Sequence, residues 1–414
     1  MEINPSIFRA YDIRGRYGEE FDNEFARKLG MVLVKYLGAK KIVISRDARA
    51  SSGELAEHVA EGITSAGCDV IDIGPTSTPL FYFGVISDKA DGGIMITASH
   101  LGDEFNGFKI TREKAVAIGG EELFRDTAES FTSDVGPANA PGGVSKKDLL
   151  AVYTNATIEH SGLKAGDIKT RVKFVGNEMV VSEARAVTDN LSILTVEENQ
   201  DISFEFDADG DRLYVINARG EKIRGDLIGG LLAGYYFQGK KIVYDLRYSQ
   251  GVLEYLRSKG IKLIPSSIGH TLIKARMREH EAEFCGEQSG HMFFKETGYV
   301  EAPTLAMLKI LNILRETGKN IDELMAEVSK WHTSEEINFS FDSRQKIMEI
   351  IAEVKEKHGD GKINEMDGLR VEYSDWSFLL RPSNTEAKLR LIVDAKTDKL
   401  LKTKIPELKK EIGY

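Results

Sequence analysis

Three carboxylates recur at alternate positions in one short loop of the sequence. Asp207, Asp209 and Asp211 follow directly on the strand-like segment 202–206, in the order Asp-Ala-Asp-Gly-Asp-Arg. Carboxylates with this spacing can converge on one hard cation, and the glycine between the second and third permits the tight turn that convergence requires. Residues 207–212, the acidic loop, are therefore a candidate metal site.

An EF-hand calcium loop also begins with aspartates at alternate positions. It needs glycine at its sixth position and glutamate at its twelfth, where this sequence has Arg212 and Ala218. A solvated acidic turn is the other alternative, and the hydrophobic strands on both sides of the loop make it the weaker one. We predict a Mg²⁺ site.

A hydroxyl and an imidazole are adjacent at the end of another strand-like segment. Ser99 and His100 follow the apolar segment 93–97, and Lys109 comes ten residues after the serine. This set suits a nucleophile or a carrier of a phosphoryl group. A helix-capping serine is the ordinary alternative. The acidic loop favours the phosphoryl carrier, because phosphoryl transfer needs a cation to neutralise developing charge. We call residues 97–102 the serine loop.

A carboxylate and a hydroxyl are two positions apart in residues 286–291, the glutamate loop. If this loop is extended, Glu287 and Ser289 point the same way and can hold neighbouring hydroxyl groups of a sugar. The loop is not the nucleophile elbow of α/β-hydrolases, because Glu287 occupies the place of that motif's first glycine. A polar turn between strands is the alternative.

Residues 381–386, the arginine loop, contain a guanidinium, two hydroxyls and an amide. Together with backbone N–H groups, these side chains predict a cradle for a phosphate group. The candidate ligands are Arg381, Ser383, Asn384 and Thr385. A local cluster of donors is what an acidic protein needs in order to bind an anionic substrate.

These loops need strands that end at a common edge, and the sequence predicts such strands. Strand-like and helix-like segments alternate from residue 22 to residue 331, which is typical of βαβ units with mainly parallel sheets. In such sheets functional loops follow the carboxyl ends of strands. Predicted strands in this region include 41–46, 192–196 and 202–206. The remaining residues predict a separate α+β domain.

Domain boundaries follow from the same rhythm. A Pro- and Gly-rich segment without periodicity, 136–143, is the clearest linker. We predict three similar α/β domains with mixed, mainly parallel sheets and a C-terminal α+β domain. Their limits are 1–138 for the serine loop, 145–238 for the acidic loop, 239–332 for the glutamate loop and 333–414 for the arginine loop.

Composition excludes several function classes. The chain has 414 residues, of which 55 are basic and 65 acidic, with a formal net charge of −10, so the basic face of a nucleic-acid-binding protein is not expected. The two cysteines, Cys68 and Cys285, do not make a disulfide framework. No apolar run approaches the roughly 18 residues of a membrane span, and no secretory signal is visible. We expect a cytoplasmic protein that binds neither nucleic acid nor membranes.

Taken together, the four loops and the segment Phe-Arg-Ala-Tyr-Asp-Ile-Arg-Gly at 8–15 resemble the α-D-phosphohexomutase superfamily, in particular its phosphomannomutase/phosphoglucomutase group. The resemblance extends over nearly the whole chain, and five ordered motifs make it specific. It implies four domains around a central cleft. It also implies an intramolecular phosphotransferase that interconverts hexose 1-phosphate and hexose 6-phosphate, with mannose or glucose as the sugar. The reaction would use a phosphoserine enzyme and a hexose 1,6-bisphosphate, which also acts as activator.

The resemblance assigns roles to individual residues. The phosphoryl group would be on Ser99, and the Mg²⁺ ligands would be the phosphoserine oxygen of Ser99 with Asp207, Asp209 and Asp211. The residues around the transferring group would be Tyr11, Arg14, His100, Lys109 and Arg212, and the candidates for acid–base roles are Lys109 and His291. Sugar hydroxyls would contact Glu287 and Ser289. The non-reacting phosphate would contact Arg381, Ser383, Asn384 and Thr385. Two further residues would line the cleft, Arg247 and His270.

Three features depart from the family pattern. The serine loop continues with Leu101 and Gly102 where relatives have Asn-Pro. The segment 177–207 is shorter than usual, and the segment 297–301 lacks the usual acidic-Gly pattern. None of the three removes a residue that phosphoryl transfer requires, so they bear on efficiency and substrate choice.

Two alternatives stay open. Gln288 is common in phosphoglucosamine mutases, whereas Asn384 fits the mannose and glucose branch better, so a phosphoglucosamine mutase is one alternative. The other is a non-catalytic sugar-phosphate binding protein of the same fold, since the second domain is short. The sequence makes no prediction of the oligomeric state.

Overall fold

The computed structural model describes residues 3–133, 136, 138–383 and 386–414. Within these residues the chain folds into four β-sheets of seven, four, five and six strands, with helices packed against them. The predicted class, α/β units followed by an α+β unit, is confirmed. In the part of the chain that the structure describes, no helix is both long and apolar enough to cross a membrane.

The first sheet carries the serine loop. Its strands are β1 (Ile13–Arg16), β2 (Lys41–Arg46), β3 (Asp69–Pro75), β4 (Gly92–Ile96), β5 (Phe105–Arg112), β6 (Ala117–Ile118) and β7 (Val144–Lys146). Its helices are α1 (Asn23–Leu37), α2 (Ser52–Ser65), α3 (Thr78–Ser87) and α4 (Gly120–Thr132). The strand order is β1-β5-β4-β2-β3-β7, with β6 on β5. Strands β4, β2, β3 and β7 are parallel, and β5 is antiparallel to β4. Strand β7 lies beyond the predicted limit at residue 138.

The second sheet carries the acidic loop. Its elements are α5 (Leu150–Ser161), β8 (Val172–Val175), α6 (Glu178–Asn190), β9 (Ile202–Phe206), β10 (Leu213–Asn217), β11 (Lys222–Ile223) and α7 (Gly225–Tyr236). The order is β11-β10-β9-β8. Only β8 and β9 are parallel within the sheet as described, while β9 and β10 form an antiparallel hairpin. The acidic loop is therefore the turn of a hairpin.

The prediction of a strand at 192–196 is wrong. This segment meets β8 at one bridge, between Thr195 and Val172. Ser192, at its start, has a φ of +55°, which is a left-handed conformation that an extended strand does not contain. Ile193 is buried in the core, so the apolar side chains of the segment serve packing without a strand ladder.

The third sheet carries the glutamate loop. Its strands are β12 (Lys241–Asp245), β13 (Lys262–Ser266), β14 (Phe284–Gly286), β15 (Met292–Phe294) and β16 (Val300–Glu301). Its helices are α8 (Gln250–Ser258), α9 (His270–His280), α10 (Pro303–Thr317) and α11 (Ile321–Val328). The order is β13-β12-β14-β15-β16, parallel up to β14 and antiparallel after it.

The fourth sheet is antiparallel and carries the arginine loop. Its elements are β17 (His332–Thr333), β18 (Ile337–Ser340), α12 (Arg344–Lys357), β19 (Lys362–Asn364), β20 (Leu369–Glu372), β21 (Trp376–Pro382), β22 (Lys388–Ala395) and α13 (Asp398–Ile412). The order is β17-β22-β21-β20-β19, with β18 also on β22. The arginine loop thus joins two neighbouring antiparallel strands.

Hydrophobic burial does not follow the four sheets one by one. A continuous buried cluster extends from Leu163 to Val328 and includes strands of both the second and the third sheet. Helix α10 is buried over its first twelve residues, Pro303 to Leu314, and contacts α5, α7 and β10. The fourth sheet packs against α12 and α13 in a separate cluster. The second and third units therefore share a core.

Candidate active site

The acidic loop brings three carboxylates together at the tip of the β9–β10 hairpin. One oxygen of each of Asp207, Asp209 and Asp211 lies within 4.8 Å of the others. Gly210 has a φ of +70°, and a Cβ there would come within 2.8 Å of Val180 in α6, so the turn admits only glycine without strain. The spacing in the sequence and the hairpin geometry together produce the cluster.

Each of these carboxylates has an oxygen with no hydrogen-bond partner among the described residues. The three oxygens are buried, and they are Asp207 Oδ2, Asp209 Oδ1 and Asp211 Oδ1. Burial and the two neighbouring carboxylates raise the pKa of Asp207 well above its ordinary value. Buried carboxylate oxygens that are unsatisfied and crowded fit the donor set that Mg²⁺ prefers.

Lys109 of β5 lies against this cluster. Its Nζ is 2.6 Å from Asp209 Oδ2 and 2.5 Å from Asp211 Oδ2. Burial opposes the charged form of the lysine, but these two carboxylates outweigh it and raise the pKa of Lys109 well above its ordinary value. The Nε atom of Arg212 lies 3.6 Å from Asp207 Oδ2. The acidic loop and two fixed cations therefore form one site.

Ser99 lies just beyond the carboxyl end of β4 and is buried. Its φ is +54°, and its backbone N–H donates to Thr97 Oγ1 at 2.9 Å. A non-glycine residue held in this region costs about 1–3 kcal/mol, and such residues cluster at active sites. Its Oγ is 3.4 Å from His100 Nδ1. Burial and the cations Arg212 and Arg14 lower the pKa of His100.

Arg14, on strand β1, lies beside the serine loop. Its Nη2 is 2.6 Å from Asp12 Oδ2, and its Nη1 donates to Ala98 O, next to Ser99, at 3.4 Å. The pairing with Asp12 orients the guanidinium of Arg14 towards the serine loop.

Arg49 holds the serine loop, and the sequence analysis missed it. Its Nη2 donates to the carbonyls of Ser99 and Leu101, both at 2.7 Å, and its Nη1 donates to Gly102 O at 2.8 Å. Asp47 anchors the guanidinium at 3.0 Å. The available signal was position, because Asp47 and Arg49 directly follow the carboxyl end of predicted strand 41–46.

The glutamate loop reaches the acidic loop through His291. His291 Nδ1 is 2.6 Å from Glu287 Oε2, and its Nε2 is 3.2 Å from Asp211 Oδ1. Burial disfavours the imidazolium, but Asp211 and Glu287 outweigh it and raise the pKa of His291 to about 9. Ser289 Oγ is 3.2 Å from His291 Nδ1. Glu287 also accepts from Arg247 Nη2 at 2.9 Å. These side chains form one hydrogen-bonded group.

Tyr11 and His270 close another side of the site. The Tyr11 hydroxyl donates to Ile268 O at 3.0 Å, and its ring centroid is 5.7 Å from that of His270. Behind His270 lies a fully buried pair that the sequence analysis missed, Lys274 and Glu301, with Nζ 3.0 Å from both carboxylate oxygens. His270 Nδ1 is 3.5 Å from Glu301 Oε1.

The arginine loop begins at the end of β21. Arg381 is buried, and burial lowers the pKa of its guanidinium. Arg390 of β22 lies directly opposite it in the strand register, and its Nη2 is 3.5 Å from Ser383 Oγ. Arg390 Nε also lies 3.6 Å from Glu336 Oε1. The two guanidinium groups supply several N–H donors on neighbouring strands, which suits an anion such as phosphate. The sequence analysis missed Arg390. Asn384 and Thr385 lie outside the described residues.

Comparison with known proteins agrees with this geometry. Three family models for phosphoglucomutase/phosphomannomutase match the chain: α/β/α domain I at residues 5–130, α/β/α domain III at 224–331 and the C-terminal domain at 336–409. A phosphomannomutase of Methanocaldococcus jannaschii is 35% identical, in an alignment that covers 98% of this chain and 97% of the relative. The chain belongs to the phosphoglucomutase/phosphomannomutase family. The resemblance inferred from the motifs is thereby confirmed.

Other family members agree over the full length. A phosphomannomutase of Vibrio cholerae is 32% identical, with 98% of each chain covered. The crystal structure of a phosphoglucomutase/phosphomannomutase family protein from Burkholderia thailandensis superposes with a TM-score of 0.86 at 26% identity, covering 100% of this chain and 98% of that one. As a member of the family, the protein is an isomerase that acts as an intramolecular phosphotransferase on hexose phosphates. The alternative of a non-catalytic binding protein is not favoured.

Proposed function

We propose that this mutase interconverts the 1- and 6-phosphates of mannose, glucose or both in the cytoplasm, through a phosphoserine at Ser99 and a bound hexose 1,6-bisphosphate. Asp207, Asp209 and Asp211, together with the phosphoserine oxygen, would hold Mg²⁺. When bound, Mg²⁺ would neutralise negative charge on the transferring phosphoryl group. The carrying observation is the cluster of three carboxylates, converging within 4.8 Å, beside the cations Lys109 and Arg212.

The chain's own groups support each half of the reaction. In the first half, the bond from Ser99 Oγ to phosphorus breaks as phosphorus bonds to the free hydroxyl oxygen of the hexose phosphate. The hydroxyl proton ends on Ser99 Oγ, and Lys109 or His291 would carry it. Arg14 and Arg212 would stabilise the charge that develops on the phosphoryl oxygens.

The second half runs the same chemistry in reverse on the other phosphate. The bisphosphate would turn over in the cleft, after which its other phosphate returns to Ser99 and the sugar oxygen takes the serine proton. Arg381 and Ser383, with Arg390 opposite, would hold whichever phosphate is not reacting. Glu287 and Ser289 would contact sugar hydroxyls, and Arg247 and His270 would line the cleft. Asn384 and Thr385, which lie outside the described residues, are predicted from the sequence to contact the same phosphate.

A coupled mutase assay tests the proposal. The full-length protein is assayed with Mg²⁺ and a trace of glucose 1,6-bisphosphate on the 1-phosphates of mannose, glucose and glucosamine. Ser99→Ala is compared with Ser258→Ala, an exposed serine on α8 away from the site. We expect turnover in the wild type and in Ser258→Ala, none in Ser99→Ala, and none after Mg²⁺ is chelated.

The covalent step has its own readout. Incubation with bisphosphate labelled at phosphorus should label Ser99, which mass spectrometry of the tryptic peptides identifies. Turnover that persists in Ser99→Ala would refute the phosphoserine mechanism, and a preference for glucosamine 1-phosphate would move the protein to the phosphoglucosamine branch.

A further inference from the structure

The acidic loop is held by a residue of another unit. Thr78, the first residue of α3 in the first unit, is fully buried and lies against Asp209. Its Oγ1 donates to Asp209 Oδ2 at 2.8 Å, and its backbone N–H donates to Asp209 O at 2.8 Å. One residue therefore fixes both the side chain and the backbone of the central aspartate.

The two carboxylate oxygens of Asp209 differ in their hydrogen bonding. Oδ2 accepts from Thr78 Oγ1 and from Lys109 Nζ, so its hydrogen-bonding capacity is used by the protein. Oδ1 is buried and has no hydrogen-bond partner within the described part of the chain. The bonds to Oδ2 set the rotation of the carboxylate, and Oδ1 is thereby left as the oxygen available to a cation.

Thr78 is itself held rigidly. Ser77, before it, accepts from Leu80 N as the cap of α3, and the N–H of Ser77 donates to Glu183 Oε1 of α6 at 2.8 Å. A Cβ on Gly210 would lie 3.0 Å from the Cβ of Ser77. The start of α3 is therefore packed between the acidic loop and α6.

Helix α3 also contacts β4, the strand that precedes Ser99, the proposed phosphoryl carrier. The hydroxyl of Thr78 on this helix bonds to the acidic loop. The acidic loop belongs to the second unit and would hold the metal.

We propose that Thr78 is a positioning residue for the metal ligand Asp209, fixing the carboxylate so that Oδ1 faces the cation and keeps its place relative to Ser99. This inference rests on the proposed Mg²⁺ site. Groups that orient metal ligands in this way typically change metal affinity by about 10- to 100-fold when they are removed.

Metal affinity tests the inference without relying on turnover. Mn²⁺, which takes the same oxygen ligands, is titrated into the full-length protein, and free Mn²⁺ is measured by its electron paramagnetic resonance signal. Mg²⁺ competition then gives the Mg²⁺ affinity. The variants are Thr78→Val and Thr78→Ala, which lack the hydroxyl, Thr78→Ser, which keeps it, and Asp209→Asn, which lacks the ligand.

We expect a Kd for Mn²⁺ that is about 10- to 100-fold weaker in Thr78→Val and Thr78→Ala and near the wild-type value in Thr78→Ser. Circular dichroism melting identifies a variant that does not fold, and the alanine variant serves if the valine variant is lost. Equal Mn²⁺ affinity in Thr78→Ala, Thr78→Ser and the wild type would refute the positioning role of Thr78 but leave the proposed metal site standing. A wild-type protein that binds no Mn²⁺ would instead refute the metal site and the inference with it.

Discussion

The second and third units of this protein share one hydrophobic core, whereas the C-terminal unit has its own. Helix α10 is buried over residues 303–314 and belongs to this core, together with strands of the sheets that carry the acidic and glutamate loops. The apolar face of the C-terminal sheet packs against α12 and α13 in a separate cluster, which extends from Phe339 to Ile412. Of the four loops, the acidic and glutamate loops are thus on one packed body, and the arginine loop is on another.

The C-terminal unit joins the third unit through buried polar groups. Arg370 Nη1 donates to Leu246 O at 2.7 Å and to Tyr248 O at 2.8 Å. The carboxylate of Asp394 accepts from Gln250 N at 3.2 Å. A few hydrogen bonds of this kind are worth about 0.5–3 kcal/mol each, so this unit can shift at much lower cost than unpacking the shared core. Hydrophobic packing therefore sets the distance between the acidic and glutamate loops, while hydrogen bonds help to set the position of the arginine loop.

A cavity in the shared core should have the largest effect. Leu308→Ala, in α10, is expected to cost about 2–5 kcal/mol of stability, the usual range for a buried leucine. Because the core is continuous, hydrogen exchange should speed up in both β9 and β12 and stay slow in β21. In the matched variant Leu391→Ala, at a leucine buried in β22, hydrogen exchange should speed up in β21 and stay slow in β9 and β12. Opening of β9 with full protection of β12 would contradict a shared core.

The polar junction should come next. Arg370→Met removes the donor to Leu246 O and Tyr248 O and is expected to cost about 2–3 kcal/mol at this junction. We expect KM for the hexose phosphate to rise at least about tenfold while β9 and β12 stay protected. The control is Lys362→Met, an exposed cation of the same sheet that also pairs with Glu372. An unchanged KM in Arg370→Met would show that the junction does not position the cradle.

The junction between the first and second units contains a carboxyl that makes it sensitive to pH. Burial raises the pKa of Glu183 to about 7 from an ordinary value of 4.5. The folded state therefore binds this proton more tightly than the unfolded state, so the stability that the group contributes is full at low pH and is lost as pH rises through about 7.

Replacement by glutamine keeps an acceptor for Ser77 N and removes the ionisation. Glu183→Gln should be about 1 kcal/mol more stable than the wild type at pH 5 and about 3 kcal/mol more stable at pH 8. Thermal melting at the two pH values measures this, with the exposed Glu198→Gln as control. A difference of the same size at both pH values would be inconsistent with a titrating Glu183.

The smallest effect is expected where the C-terminal unit meets the third unit beside the cleft. Asp367 Oδ2 accepts from Ile268 N at 2.8 Å, in a partly exposed bond worth about 1 kcal/mol. Asp367→Ala should raise KM a few-fold and leave kcat nearly unchanged. Asp360→Ala, whose carboxylate bonds Tyr373 within the C-terminal unit, is the control. A fall in kcat at constant KM would place Asp367 in the chemical step instead.

Local sequence patterns predicted most of the elements and the loops. The strands at 41–46 and 202–206 have the predicted limits, because continuous apolar residues between turn signals leave little choice of structure. The predicted strand at 192–196 is wrong, because the same apolar pattern also occurs in a segment that packs in the core and pairs with β8 at a single bridge. The acidic loop was found because its ligands are at alternate positions of one turn.

The sequence analysis did not find the residues that contact a site loop from another part of the chain. Arg49, just after β2, donates hydrogen bonds to carbonyls of the serine loop. Arg390 lies opposite Arg381 on the neighbouring strand. Thr78 donates a hydrogen bond to Asp209 of another unit. Arg49 had one local signal, its position just after a predicted strand, whereas Arg390 and Thr78 have none. The role of each depends on a partner that is distant in the sequence.

The sequence by itself determined the α/β architecture, the family and the side chains available for phosphoryl transfer, since periodicity and motif spacing are local properties of the chain. Only the tertiary structure decided which carboxylates converge, which cations face them and which units share a hydrophobic core. Those outcomes depend on burial and on contacts between residues that are far apart in sequence, and the free energies of such contacts are set by geometry that no single segment contains.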